Sequence, residues 1–272
     1  MNSTACAAYS LDAIPVRNPS PWSEGNSSPA REDAWERLAH ALRDKIAVQM
    51  NEIARISRLK RFIAPQIADT ILNDEDALLF GSHRREITVV FLDLRGFTAF
   101  TERAEPEEVL DLLKGYHAAV GSLIVDSGGT IVRFAGDGIM VLFNDPVPYD
   151  DHAERAVTMT LRTRERMREL RAEWSKKGWE LDLGVGVATG YAAVGNIGFA
   201  GRLEYTAVGS VTNLASRLCD AAQGGQILTT QKTLSRVEQI VEAEAVGELH
   251  LKGFSRPISA YNIKQLRKAA AA

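Results

Sequence analysis

The sequence predicts an α+β fold, a mixed β-sheet flanked by helices and preceded by a helical stalk. Three observations carry that reading. The run Ile-Thr-Val-Val-Phe-Leu at 87–92 is β-branched and almost wholly apolar, as in a strand buried on both faces. Two short apolar runs flank Ala-Gly-Asp-Gly at 135–138, a hairpin signal. Helical stretches and strands then mix without the strict alternation of a doubly wound sheet, and no repeat of fixed period is present.

Taken in order, residues 1–31 hold Pro15, Pro19, Pro21 and Pro29 among Ser, Asn and Gly, which predicts a disordered N-terminal tail. Over 32–64, Trp35, Ala39, Leu42, Ile46, Met50, Ile53, Ile56 and Leu59 recur at spacings of three and four. That stripe predicts a stalk helix, for which coiled-coil pairing with a second copy and docking in cis both remain open. Ala64-Pro65 ends it, and a short helical connector over 65–82 leads to a domain over 83–264, with a C-terminal tail at 265–272. Within the domain, Pro106 starts a helix that Gly128-Gly129 stops. Strands follow at 130–134 and 139–143, then a charged helix over 151–176, a strand at 181–189, a Gly-rich connection and a helix over 211–222. Short strands are expected near 226–229, 242–251 and 258–263, with one helix between the first two.

Composition narrows the function. The 272 residues are 45% hydrophobic and 25% charged, as for a soluble globular protein, and the net charge of −3 supplies no global field for nucleic acid or an anionic membrane. No apolar run of about 18 residues and no signal peptide is present, so no direct membrane span is expected. Cys6 and Cys219 form no CxxC pair or disulfide framework, which suits a cytoplasmic protein. Gly184-Val-Gly-Val-Ala-Thr-Gly190 has the wrong spacing and setting for a dinucleotide fingerprint, and no P-loop or zinc-ligand spacing occurs. The Arg-rich helix at 162–171 alternates with Glu, as on a solvated face.

Three segments carry chemistry. Asp93 leaves the first strand into Leu94-Arg95-Gly96-Phe97-Thr98, where a carboxylate can bind a hard cation and backbone N–H groups can meet phosphates; an Asp that merely begins a turn fits equally. Asp137 sits in the hairpin turn, and two carboxylates at one end of a sheet would suit a two-ion phosphoryl-transfer site. Asn213 and Arg217 lie four apart on one helical face, a neutral donor beside a permanent cation.

Together these segments resemble the class III nucleotidyl cyclases, the adenylyl and guanylyl cyclases of bacteria and animals. The resemblance runs over about 61–263 and includes Arg61-Phe-Ile-Ala-Pro-Gln66, the Asp93 turn, Phe134-Ala-Gly-Asp137, Asp151-His152-Ala153, the 206–217 segment and Leu251-Lys-Gly253. It implies a ferredoxin-like core and two Mg²⁺ or Mn²⁺ ions per site, held by Asp93, Asp137 and the main-chain carbonyl of Leu94. It also implies phosphate contacts from Gly96, Phe97, Thr98 and Lys252, with Asn213 orienting ribose and Arg217 stabilising the transition state.

The same resemblance implies a homodimer whose sites lie between chains, one giving the acids and the other the base-reading pair with Asn213 and Arg217. That pair is Arg133, where Lys is commonest, and Thr206, where Asp is commonest. Thr there resembles a subset of the class, some of which respond to bicarbonate or carbon dioxide. Cyclisation of ATP to cyclic AMP in intracellular signalling is the expected activity. A guanylyl or dual-specificity cyclase, and a non-catalytic nucleotide-binding module of the same fold, are the rivals.

Overall fold

In the computed structural model the described residues are 29–72, 81–199 and 201–267. The chain divides into two units, Met1–Ser57 and Arg58–Ala272. Helix α1 (Pro29–Leu59) contains the expected stripe, and Trp35, Leu42, Ile46, Met50 and Ile53 on it are all solvent-exposed. It starts at Pro29, inside the stretch expected to be disordered, because proline suits the first turn of a helix, where its missing N–H costs nothing. The rest of that expected tail, 1–28, lies outside the described residues, as do 73–80 of the connector and the last five residues of the chain.

Among the described residues the second unit holds one mixed eight-stranded sheet. Its strands are β1 (His83–Arg95), β2 (Thr130–Ala135), β3 (Gly138–Phe143), β4 (Asp182–Phe199), β5 (Arg202–Val208), β6 (Ile227–Thr230), β7 (Val241–Leu249) and β8 (Ile258–Leu266). They lie in the order β2-β3-β1-β4-β6-β8-β7, with β5 paired to β4 off that path. Among the described residues only the β4–β6 pair is parallel. The helices are α2 (Pro65–Leu72), α3 (Phe97–Thr101), α4 (Pro106–Asp126), α5 (His152–Ser175), α6 (Ser210–Ala221) and α7 (Gln231–Val237).

Alternation along the strands builds two cores. Val90, Leu92 and Leu94 of β1 join Tyr116 and Val120 of α4 and Val157 of α5 on one face. Ile87 and Val89 join Ile67 of α2 and Val211, Ala215 and Leu218 of α6 on the other. This two-sided burial is what the unbroken apolar run at 87–92 requires. At α4, Pro106 follows the N-cap Glu105, which forms a reciprocal capping box with Glu108.

Two expectations need correction. The Gly-rich connection after 189 is the continuation of β4 to Phe199 and its hairpin partner β5. Glycines disfavour a strand by propensity, but in this stretch Gly198 lets the hairpin close: a β-carbon on it would lie 2.1 Å from the carbonyl oxygen of Arg202. At the β2–β3 hairpin the turn pair is Gly136-Asp137, one residue earlier than an Asp-Gly turn. Gly136 supplies the positive φ of 64° at the first turn position, and Gly138 pairs with Ala135.

Candidate active site

β1 and β3 run antiparallel, with Leu92 opposite Ile139. Two residues on, the same register brings Leu94 opposite the hairpin turn, where its N–H donates to Asp137 Oδ2 at 3.0 Å. Leu92 and Leu94 are buried on the α4–α5 face, so Asp93 between them points to the α6 face. There it pairs across the sheet with Gly184, and a β-carbon on Gly138 would lie 3.7 Å from Asp93 Oδ1. The two predicted metal acids therefore stand together at one end of the sheet.

The surroundings set their charge. Burial first, and then the negative charge of Asp137, push the Asp93 carboxyl up to about 6, against the opposing pull of Arg95. Arg95 Nη1 donates to Asp93 Oδ2 at 2.7 Å. The same guanidinium reaches the end of α6, with Nε donating to the Ala222 carbonyl at 2.8 Å and Nη2 to that of Cys219. Arg95 thus binds two carbonyls at the C-terminal end of α6 and ties the helix to Asp93, which sequence reasoning missed. Its signal was Gly184, where a β-carbon would lie 2.4 Å from Arg95 Nη2.

Two like-charged carboxylates at a partly open edge, one of them held up near neutrality, fit hard divalent cations. Among the described residues no third Asp, Glu, His or Cys completes a metal cluster with them. Further ligands would be main-chain, substrate or water oxygens. The hairpin bearing Asp137 is braced from α4, where the centroid of the His117 ring lies 4.6 Å from that of Phe134. Beside the acids, Gly96 takes φ 85° and opens α3, so that Phe97 and Thr98 form its first turn. Phe97 packs toward Phe100, and Phe100 against Trp179, while Thr98 is exposed.

Arg133 is exposed on β2 and does not contact the acids. Its Nε and Nη2 both donate to Glu204 Oε1, at 2.9 and 2.6 Å. Glu204 lies two residues before Thr206 on β5, so the structure brings Arg133 to the strand of its expected partner. Between them Tyr205 is buried, its hydroxyl donating to Asp145, whose side chain is fully buried and also meets His83 Nε2 at 2.7 Å. Burial, then Asp145, pushes the Tyr205 hydroxyl far above its usual range.

On α6, Asn213 is exposed and Arg217 pairs with Asp220 at 2.6 Å. Lys252 is exposed in the β7–β8 connection, which Leu251 and Phe254 anchor in the core that contains Val211 and Leu218 of α6. Among the described residues no hydrogen bond or ion pair joins Arg133, Thr206, Asn213, Arg217 or Lys252 to Asp93 or Asp137.

Comparison with known proteins gives a consistent result. Residues 81–265 match the family model described as the adenylate and guanylate cyclase catalytic domain. Adenylate cyclase 1 of Rhizobium meliloti (strain 1021) is 32% identical over 183 residues, which is 66% of this chain and 28% of that protein. The adenylate cyclase of Anabaena cylindrica is 28% identical over 229 residues, 80% of this chain and 45% of that protein. The chain therefore spans less than half the length of either curated relative. Among solved structures, the adenylyl cyclase CyaB of P. aeruginosa superposes with TM-score 0.67 at 37% identity, covering 70% of this chain and 98% of that one. The guanylyl cyclase Cya2 superposes with TM-score 0.65 at 34% identity, covering 71% and 98%.

Proposed function

Because this chain belongs to the adenylate and guanylate cyclase catalytic domain family, we propose that it is an adenylate cyclase, converting ATP to cyclic AMP and pyrophosphate as a homodimer. The observation that carries the reading is the acid pair, Asp137 fixed to the Leu94 N–H beside an Asp93 whose carboxyl is pushed up to about 6. Such a pair stores repulsion that a divalent cation relieves.

In the proposed reaction the ribose 3′-oxygen attacks the α-phosphorus of ATP, the new O–P bond replaces the bond to pyrophosphate, and the hydroxyl proton leaves to solvent. Asp93, Asp137 and the Leu94 carbonyl would hold two Mg²⁺ or Mn²⁺ ions. Bound there, such ions lower the hydroxyl's pKa and offset phosphate charge. Arg217, released from Asp220, donates to the oxygens of the transferring phosphoryl group. Asn213 orients ribose, and the turn at Gly96, Phe97 and Thr98, with Lys252, holds the outer phosphates. Arg133 donates to the purine, and the Thr206 hydroxyl accepts from the adenine N6 amine.

The dimer is supported by apolar side chains that one copy leaves in water. Phe134 on β2, Ile197 and Phe199 at the end of β4, and Leu203 and Val208 on β5 are each half exposed or more. A shared site also accounts for the absence of contact between the acid pair and the Asn213/Arg217 pair within one chain. Among the described residues no helix is long and apolar enough to cross a membrane, in keeping with the proposed cytoplasmic location.

A guanylyl cyclase is the second reading, and Arg133 favours it, since a guanidinium also donates to guanine O6. The deciding assay incubates the purified chain with ATP or GTP, with Mg²⁺ or Mn²⁺, with and without bicarbonate, and identifies products by mass spectrometry. Cyclic AMP from ATP as the dominant, metal-dependent product supports the reading; cyclic GMP from GTP at equal or greater efficiency, or no cyclic nucleotide, overturns it.

A further inference from the structure

We propose that Glu204 is a purine-selectivity residue that acts by holding Arg133, an inference that rests on the reading of Arg133 and Thr206 as the base-recognition pair. Alternation on β5 places Tyr205 and Ala207 in the core and turns Glu204 and Thr206 to the opposite side. That rotation is fixed from beneath, because the Tyr205 hydroxyl is bonded to the fully buried carboxylate of Asp145, which His83 also holds. β2 and β5 share no backbone ladder, so Arg133 and Glu204 bridge the two strands through side chains alone.

The bridge consumes one edge of the guanidinium. Nε and Nη2 both converge on Oε1, while Nη1 and the second Glu204 oxygen take no part in the pair. Held this way, Arg133 and Glu204 present a donor next to an acceptor. Adenine offers the complement, an acceptor at N1 beside a donor at the N6 amine. An Arg133 freed from Glu204 presents donors only, a fork suited to the paired acceptors O6 and N7 of guanine. Glu204 therefore biases the site toward adenine without touching phosphate, metal or the reacting atoms.

The test measures kcat/KM for ATP and GTP in the wild type, Glu204→Ala, Glu204→Gln, Arg133→Ala and the Glu204→Ala/Arg133→Ala double variant. Glu204→Ala is expected to lower the ATP:GTP ratio by about tenfold or more, mainly by raising KM for ATP, with Glu204→Gln in between. In the Arg133→Ala background the Glu204 change is expected to have no further effect on the ratio. A ratio within about twofold of wild type in both single Glu204 variants, or an undiminished effect without Arg133, overturns the proposal. The wild-type arm alone reports on the proposed cyclase activity. If it turns over neither nucleotide, the binding ratio of 3′-deoxy-ATP to 3′-deoxy-GTP, which lack the attacking hydroxyl, still decides the role of Glu204 by the same criteria.

Discussion

The main-chain N–H of Leu94 donates to the carboxylate of Asp137 at 3.0 Å, pinning a hairpin turn to the end of the neighbouring strand. Two acids far apart in sequence are thereby set beside one another on a rigid sheet edge, where loop mobility cannot separate them.

Metal binding should therefore depend on pH. A raised Asp93 carboxyl means that the folded state favours the protonated form, so ionising it costs stability as pH rises from the ordinary 3.8 to about 6. Above that window Asp93 is charged, and a cation relieves its repulsion with the neighbouring Asp137. Mg²⁺ or Mn²⁺ should raise the melting midpoint more at pH 7.5 than at pH 5, and Asp93→Asn should remove the difference. Equal metal stabilisation at both pH values would contradict this assignment.

Arg95 should matter for stability as well as for the site. Arg95→Ala leaves the Cys219 and Ala222 carbonyls without their guanidinium donor and costs about 1–3 kcal/mol, measurable by denaturant unfolding. Arg95→Lys should restore only part, since an ammonium lacks the fork that spans two carbonyls and Asp93. Full stability in Arg95→Ala would show that solvent serves the helix end as well.

The glycine under α6 permits a sharp steric test. Gly186→Ala puts a methyl group 2.1 Å from the Ala215 carbonyl oxygen and 2.3 Å from the Cys219 N, both backbone atoms, so α6 must shift. The expected cost is about 1–3 kcal/mol, with a larger proportional loss of activity because Asn213 and Arg217 travel with the helix. Wild-type activity in a folded Gly186→Ala protein would argue against any catalytic role for the position of α6.

Much of this was legible in the sequence, for physical reasons that differ by element. The two-faced burial of β1, the capped start of α4 and the hairpin around Asp137 all rest on local periodicity or turn chemistry, and those signals are strong. The extension of β4 and the strand β5 were not legible, because glycines at 190, 195 and 198 read as a loop. What keeps them in a strand is the long-range pairing of 193–199 with 202–208. The site residues divide the same way. Asp93, Asp137, Asn213 and Arg217 stand in recognisable local motifs, whereas Arg95, Glu204 and Asp145 owe their roles to partners between 60 and 127 positions away.

Tyr205→Phe tests how firmly the β5 strand is held. Removing the hydroxyl leaves the buried Asp145 with His83 and Arg85 as its partners, and the loss should cost about 1–3 kcal/mol in unfolding free energy. Kinetics should show a higher KM for ATP with a smaller change in kcat, since Thr206 and Glu204 flank the mutated residue. An unchanged KM would separate the buried network from purine recognition.

The most direct test of the composite, metal-dependent site mixes two inactive proteins. Asp93→Ala removes an acid and Arg217→Ala removes the transition-state cation, the latter costing on the order of 3 kcal/mol in activation free energy. Each alone should be nearly inactive. After co-expression with random pairing, about half the dimers contain one of each chain, and each of those retains one intact site beside one doubly damaged site, so activity should return to about a quarter of wild type per total site. Recovery near that level is the predicted result; mixed dimers that demonstrably form and yet make no cyclic AMP would contradict it.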